Sequence, residues 1–144
     1  MIDGVLTSPL RRISGPAGDV LHAMKRSAEG FSGFGEAYFS TVHQGAIKSW
    51  RCHRIVTMNL VVPVGAVRFV VHDARDDSRT RGRFTELAIG VAIDNYARLT
   101  IPSGLWLAFQ GIGPGTSVIL DIIDREHDPA EAEACDLAAI PYAW

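Results

Sequence analysis

The stretch that decides the fold is Thr57-Met-Asn-Leu-Val-Val-Pro-Val-Gly-Ala-Val-Arg-Phe-Val-Val-His72. Residues 57–62 and 66–72 are rich in Val and other residues that favour strands, and they flank Pro63-Val64-Gly65. The pattern predicts a β-hairpin with a short turn. Polar and apolar residues alternate only weakly over residues 67–71, which indicates a strand covered on both faces.

Segments of the same kind occupy most of the chain, because fourteen glycines and seven prolines divide it into short pieces. Their even spacing is typical of β-sandwiches and barrels. Further strands are predicted over residues 20–24, 35–43, 46–52, 84–89, 98–101, 105–112 and 117–123. A short C-terminal helix is predicted over residues 129–135, where a proline is followed by acidic residues. With no linker or repeat, a single domain over residues 1–144 is expected.

Composition excludes several classes of protein. The chain has 47% hydrophobic and 21% charged residues and a net charge of −2, so general disorder and a strongly basic nucleic-acid coat are excluded. No apolar run is long enough to span a membrane, and the N-terminus lacks the features of a secretory signal. Two cysteines, Cys52 and Cys135, are too few for a disulfide scaffold. We therefore expect a soluble cytoplasmic protein with neither nucleic acid nor membrane as partner.

Residues 73–83 carry four arginines and three aspartates. A cluster of arginines can bind phosphate, but mixed charge between two strands is more typical of a solvated loop. The sequence therefore favours a solvated loop here.

The spacing of a cupin motif is present without its metal ligands. Gly45 is followed by five residues, Arg51-Cys52-His53, four residues, Met58, six residues and Gly65. This frame resembles the first cupin motif, and Pro102-Ser103-Gly104 with Leu107 resembles the second. Of the four positions that hold metal ligands in cupins, only His53 keeps a ligating side chain, so no metal is expected. The resemblance implies an all-β cupin (double-stranded β-helix, jelly-roll) barrel.

Over residues 15–124 the chain resembles the RmlC family, the dTDP-4-dehydrorhamnose 3,5-epimerases of deoxysugar biosynthesis. The most similar stretch is Val67-Arg-Phe-Val-Val-His-Asp-Ala-Arg-Asp-Asp-Ser-Arg-Thr-Arg-Gly-Arg-Phe84, which resembles a strand, a D-x-R-x-x-S-P-T-x-G loop and a returning strand of the family. The resemblance implies an enzyme without cofactor that acts on a nucleotide-sugar, with a dTDP-sugar as the expected substrate. It also implies a homodimer in which N-terminal strands are exchanged.

The chemistry that the resemblance implies is proton abstraction next to a ketone, by a histidine base and a tyrosine acid. The family's base position falls on Arg51, whose guanidinium cannot act as a base near neutral pH. The family's tyrosine position falls near Leu120, and a further family histidine falls on Leu107. Lys48 keeps the cation of the family's strand motif. The resemblance therefore implies a site in which the usual base and acid are replaced.

Strand geometry suggests replacements for these groups. His53 lies two residues after Arg51, so both side chains share a face, about 6.5 Å apart. Lys48 points to the other face if the strand is regular, but a bulge would break that parity. His53 or His22 is the candidate base, and Tyr38 is the candidate acid. Their alternative roles are structural, as a hydrogen-bonded histidine or a packed aromatic ring.

Substrate-binding candidates complete the predicted site. Glu36 shares a face with Tyr38 and is predicted to hold a sugar hydroxyl, while Trp106 is predicted to stack on a ring at the barrel mouth. Lys48 and Arg51 are predicted to neutralise phosphate or enolate charge. Three functions stay open: a nucleotide-sugar epimerase, a ketoisomerase that moves the keto group, and a non-catalytic binder of nucleotide-sugars.

Overall fold

Twelve short strands make up nearly all regular structure in the computed structural model, which describes residues 1–144. The strands are β1 (Leu6–Pro9), β2 (Arg12–Ile13), β3 (Val20–Leu21), β4 (Glu36–His43), β5 (Ile47–His53), β6 (Met58–Val64), β7 (Val67–Asp73), β8 (Phe84–Ile89), β9 (Ala97–Ile101), β10 (Leu105–Gly111), β11 (Thr116–Ile123) and β12 (Ala132–Ala134). Two 3₁₀ turns, Val91–Ile93 and Leu137–Ala139, are the only helical segments. No helix has the length and apolar character needed to cross a membrane. The all-β prediction is confirmed.

The strands form two five-stranded antiparallel sheets and one small hairpin. The first sheet has the order β1-β9-β6-β11-β4, the second has the order β12-β5-β10-β7-β8, and β2 pairs with β3. The two sheets enclose an apolar core that includes Leu60, Phe69, Leu99 and Ile119, as in a jelly roll. β1 pairs with β9 of the same chain, and exchange of the N-terminal strand between two copies stays a prediction.

The predicted hairpin between β6 and β7 is wrong, although both strands exist. β6 pairs with β9 and β11 in the first sheet, whereas β7 pairs with β8 and β10 in the second. Gly65 has a φ of 79°, and a β-carbon there would overlap Ser117. Ser117 Oγ accepts a hydrogen bond from the backbone N–H of Ala66 and donates one to its carbonyl. The turn is therefore a corner that takes the chain from one sheet to the other.

The outer face of the second sheet is covered by the C-terminal segment. Trp50, Val70 and Ala108 form a small buried cluster there. The side chains that pack over it are those of Trp106, Cys135, Leu137, Ile140, Tyr142 and Trp144. Trp50 Nε1 donates a hydrogen bond to the carbonyl of Leu137 at 3.3 Å. β7 is thus covered on both faces, as its weak alternation predicts.

The predicted helix over residues 129–135 is wrong, because the sheet edge captures this segment. Residues 132–134 form β12 and pair in antiparallel register with Arg51–His53 of β5. Glu131, just before β12, accepts hydrogen bonds from the backbone N–H groups of Ile55 and Val56. These long-range bonds outweigh the weak helical preference of a seven-residue segment.

The charged loop at residues 73–83 is solvated at its tip and ordered at its base. Asp73 is fully buried, and its carboxylate accepts hydrogen bonds from Arg75 Nε at 2.9 Å, Thr80 Oγ1 at 2.6 Å and Ser78 Oγ. Hydrogen bonding from Arg75 holds the pKa of Asp73 well below its usual value. Asp76 and Asp77 at the tip are exposed. The loop is therefore held by one buried carboxylate.

We expect Asp73→Asn to lower the free energy of unfolding by about 3 kcal/mol at pH 7, because it removes a buried charge that its partners require. The native pKa of Asp73 is lowered, so its contribution is fully present above the unfolded-state pKa of about 4 and declines below it. The difference between wild type and variant should therefore shrink in acid. Urea unfolding at pH 7 and at an acidic pH below the unfolded-state pKa measures this difference in the free energy of unfolding, with Asp77→Asn as the exposed control. An equal loss of stability in both variants would contradict the assignment.

Candidate functional site

A cavity of about 600 Å³ is lined by residues of both sheets, mainly from β4 and β11 of the first and β5 and β10 of the second. The polar side chains that line it come from both walls. They are Tyr38, Ser40, Lys48, Ser49, Arg51, His53, Asp121, His127 and Asp136. The apolar lining includes Met58, Leu107 and Phe109. A polar cavity of this size on an apolar floor is suited to a small ligand.

A β-bulge in β5 brings Lys48, Arg51 and His53 to the same face. Arg51 pairs with Leu107 and Lys48 pairs with Phe109, so two residues of β5, Ser49 and Trp50, lie opposite the single residue Ala108. The extra residue reverses the alternation of the strand. Lys48 therefore points into the cavity together with Arg51 and His53, as all three line it, while Trp50 is buried in the cluster on the outer face. The sequence allowed either a regular strand or a bulge in β5, and the structure has the bulge.

His53 is held by a buried carboxylate. Its Nδ1 lies 2.7 Å from Glu131 Oε2, and both side chains are only 6% exposed. Burial by itself would raise the pKa of Glu131, but hydrogen bonds from Ile55 N–H, His53 and Val56 N–H lower it below its usual value. Glu131 is therefore ionised and orients the imidazole, whose Nε2 has no hydrogen-bond partner in the protein. This nitrogen is available to a ligand in the cavity.

Tyr38 and Asp121 form the opposite wall, on the first sheet. They are directly paired across β4 and β11, and Ser40 Oγ donates a hydrogen bond to Asp121 Oδ2 at 2.9 Å. Burial raises the pKa of Asp121 to about 6, against the opposing effects of Ser40 and Lys48. Burial, with the charges of Asp121 and Glu36, raises the pKa of Tyr38 to about 12. The wall thus carries one acid that titrates near neutral pH and one that stays protonated.

Two cations in the cavity have no acidic partner. Neither Lys48 nor Arg51 forms an ion pair with a carboxylate, and both side chains are exposed to the cavity mouth. Lys48 Nζ lies 5.9 Å from the centre of the Phe109 ring. Unpaired basic groups of this kind are suited to binding an anion such as a phosphate or an enolate.

The four positions that hold metal ligands in cupins come together here, as the spacing predicts. Arg51, His53, Met58 and Leu107 all line the cavity. His53 carries the only imidazole or carboxylate ligand among them, Met58 offers a soft thioether, and no group of three or more His, Cys, Asp or Glu residues is placed to hold a metal ion. The residues present do not fit a metal site.

Three predicted site residues do not line this cavity. Trp106 packs against the buried cluster on the outer face of the second sheet. His22 lines a separate cavity beside Arg98, and its carbonyl accepts a hydrogen bond from Tyr96. Glu36 does not line the cavity, but its carboxylate accepts a hydrogen bond from the backbone N–H of His127, which does. The structure therefore brings together His53, Tyr38, Lys48 and Arg51.

Sequence reasoning missed Asp121 and Glu131. Asp121 follows Leu120, near which the family resemblance implies a tyrosine, and strand alternation turns Asp121 rather than Leu120 into the cavity. An aspartate within the apolar run Val-Ile-Leu-Asp-Ile-Ile is the signal that was available for it. No local signal marks Glu131, because its contact with His53 spans 78 residues.

The similarity to known proteins extends over the whole chain. A solved structure of a dTDP sugar isomerase from Desulfovibrio desulfuricans G20 is 35% identical and superposes with a TM-score of 0.95, covering 99% of this chain and 92% of that one. Solved structures of sugar epimerases at 20% identity or less share the fold, and some of them hold dTDP or a dTDP-sugar.

Two curated relatives are more distant in sequence. The spore coat polysaccharide biosynthesis protein SpsL of Bacillus subtilis is 26% identical over 92% of this chain and 87% of its own length. The probable low-salt glycan biosynthesis epimerase Agl13 of Haloferax volcanii is 28% identical over 74% of this chain and 65% of its own length. No family model matches the chain.

We expect neutral His53 to carry its proton on Nδ1, because ionised Glu131 accepts a hydrogen bond at that nitrogen. Long-range ¹H–¹⁵N NMR spectroscopy reports the tautomer directly. Glu131→Gln should give a mixture of tautomers, since an amide can either accept or donate, whereas the exposed control Glu133→Gln should match wild type. A proton on Nε2 in the neutral wild-type protein would contradict the assignment.

Proposed function

The chain belongs to the RmlC-like family of dTDP-sugar epimerases and isomerases, which has the cupin fold, and we propose that it epimerises a nucleotide-linked 4-keto-6-deoxy sugar. The reaction inverts the configuration at one or both carbons next to the ketone. The observation that supports this most strongly is the His53–Glu131 pair, which faces acidic groups across a cavity of suitable size. Epimerisation needs a base on one face of the sugar and an acid on the other.

The proposed reaction begins when His53 Nε2 removes a proton from the carbon next to the ketone. Glu131 stabilises the imidazolium that forms, in the way a buried carboxylate supports a catalytic histidine. The electron pair moves to the ketone oxygen and gives an enolate. Lys48 or Arg51 neutralises that charge, and the other cation binds the diphosphate. Reprotonation from the opposite wall, where Tyr38 lies, inverts the carbon.

A dTDP-sugar is the substrate that we expect, because the 35% identical relative is a dTDP sugar isomerase. The base and acid of this mechanism lie away from the positions that the family resemblance implies for them. Arg51 and His53 both line the cavity. The family resemblance assigns the position of Arg51 to the base, and in this proposal His53, the next residue on the same face of β5, is the base instead. The homodimer is part of the same proposal.

Ketoisomerisation is the second candidate, and one observation favours it. The cavity wall formed by β5 carries a single imidazole. One base suffices to move a keto group between neighbouring carbons through an enediol. It takes the proton from the hydroxyl-bearing carbon and returns it on the same face to the former carbonyl carbon, while the hydroxyl proton passes to the former ketone oxygen.

We expect the wild-type protein to introduce deuterium at carbon 3 or carbon 5 of dTDP-4-keto-6-deoxyglucose in deuterium oxide, with NMR spectroscopy of the sugar as the measurement. His53→Asn should reduce the exchange rate at least about 100-fold, because the amide cannot accept the proton. His43→Asn, on the exposed end of β4, is the control. A displaced ketone would favour ketoisomerisation. Tight binding without exchange in the wild-type protein would favour a non-catalytic binder.

Lys48→Ala should weaken dTDP binding about tenfold, because a charge-assisted hydrogen bond to phosphate is lost. Isothermal titration calorimetry measures the affinity. Lys25, the chain's other lysine, is exposed and lies outside the cavity, so Lys25→Ala is the matched control. Equal affinity in wild type and Lys48→Ala would remove Lys48 from the phosphate site.

A further inference from the structure

Asp121 differs from the two other buried carboxylic acids of this chain. Asp73, Asp121 and Glu131 are each at most 8% exposed. Asp73 accepts hydrogen bonds from Arg75, Ser78 and Thr80, and Glu131 accepts three as well. Asp121 accepts only the hydroxyl of Ser40 and forms no ion pair. Burying a carboxyl group without a cationic partner lowers the stability of the folded protein, so a functional reason for it is expected.

The position of Asp121 is that of a reacting group. Its second oxygen, Oδ1, accepts no hydrogen bond from the protein and lies on the cavity. β11 belongs to the first sheet and β5 to the second, so Asp121 and His53 line the cavity from opposite walls. A sugar ring bound between the walls would present one face to each group.

An epimerase catalyses its reaction in both directions, and the group opposite the base must therefore be able both to donate and to accept a proton. The group that donates a proton in the forward reaction must remove one in the reverse reaction. Tyr38, with a pKa of about 12, does not ionise near neutral pH. The Asp121 carboxyl, with a pKa of about 6, is present in both forms. The titratable groups that act on it are Tyr38, its cross-strand partner on β4, and Lys48 on β5.

We propose that Asp121 is the second proton-transfer group of the site, so that His53 and Asp121 form a two-base pair for epimerisation. In the forward direction His53 Nε2 takes the proton from one face, and protonated Asp121 gives its proton to the same carbon from the other face. Asp121 is then ionised and His53 protonated, and solvent resets both. In the reverse direction Asp121 takes the proton and His53 donates. Tyr38 acts as a hydrogen-bond donor to the sugar in this scheme, which rests on the proposed function.

Asp121→Asn tests the pair, because it separates proton exchange from epimerisation. His53 should still remove and return the proton on its own face, so the variant should introduce deuterium with retained configuration within a few-fold of the wild-type rate. Epimer formation should fall at least about 100-fold. The full-length protein with dTDP-4-keto-6-deoxyglucose in deuterium oxide is used, and NMR spectroscopy reads both label and configuration. Asp77→Asn is the control.

Three outcomes would overturn the inference while the proposed function stands. In the first, Asp121→Asn forms the epimer at the wild-type rate. In the second, Asp121→Asn loses both exchange and epimerisation while its affinity for dTDP is unchanged. In the third, Tyr38→Phe rather than Asp121→Asn keeps exchange and loses epimerisation. A wild-type protein that neither exchanges nor epimerises would overturn the proposed function itself, and this inference with it. If the asparagine variant folds poorly, Asp121→Ala with added formate repeats the test. Formate should then restore epimer formation.

Discussion

The rest of the site depends on one buried carboxylate, that of Glu131. It accepts hydrogen bonds from the His53 imidazole and from the backbone N–H groups of Ile55 and Val56, and so it closes the end of β5 and fixes the entry into β6. The same residue leads directly into β12, which pairs with the strand that carries His53. One ionised side chain thus joins the C-terminal segment, the barrel corner and the candidate base.

The two walls of the cavity differ in their electrostatics. The β5 wall carries two cations without carboxylate partners and an imidazole with a carboxylate behind it, whereas the β4–β11 wall carries a protonated phenol and a carboxyl of raised pKa. Negative charge that develops on a bound sugar would be stabilised from one side only. Under the proposed function, the cations of the β5 wall would therefore lie beside the developing enolate oxygen.

Strand positions could be predicted from the sequence, because Val-rich runs bounded by glycine and proline are a local signal. The assignment of β6 and β7 to different sheets could not, since Gly65 is suited equally to a tight turn and to a corner. The corner is held by the contact between Ala66 and Ser117, which lies far away in the sequence. The residues at the cupin ligand positions were found by spacing. The direction of Lys48 depended on a bulge that no residue type marks, and Glu131 depended on a contact across 78 residues.

The separation of His53 and Glu131 along the chain also has a consequence for biosynthesis. A ribosome makes every strand of both sheets except β12 before it adds residue 131. A chain that stops before residue 131 lacks the carboxylate that orients His53, and it also lacks the segment that covers Trp50 on the outer face of the second sheet. The candidate site and the cover of the second sheet are therefore completed by the same last residues of the chain.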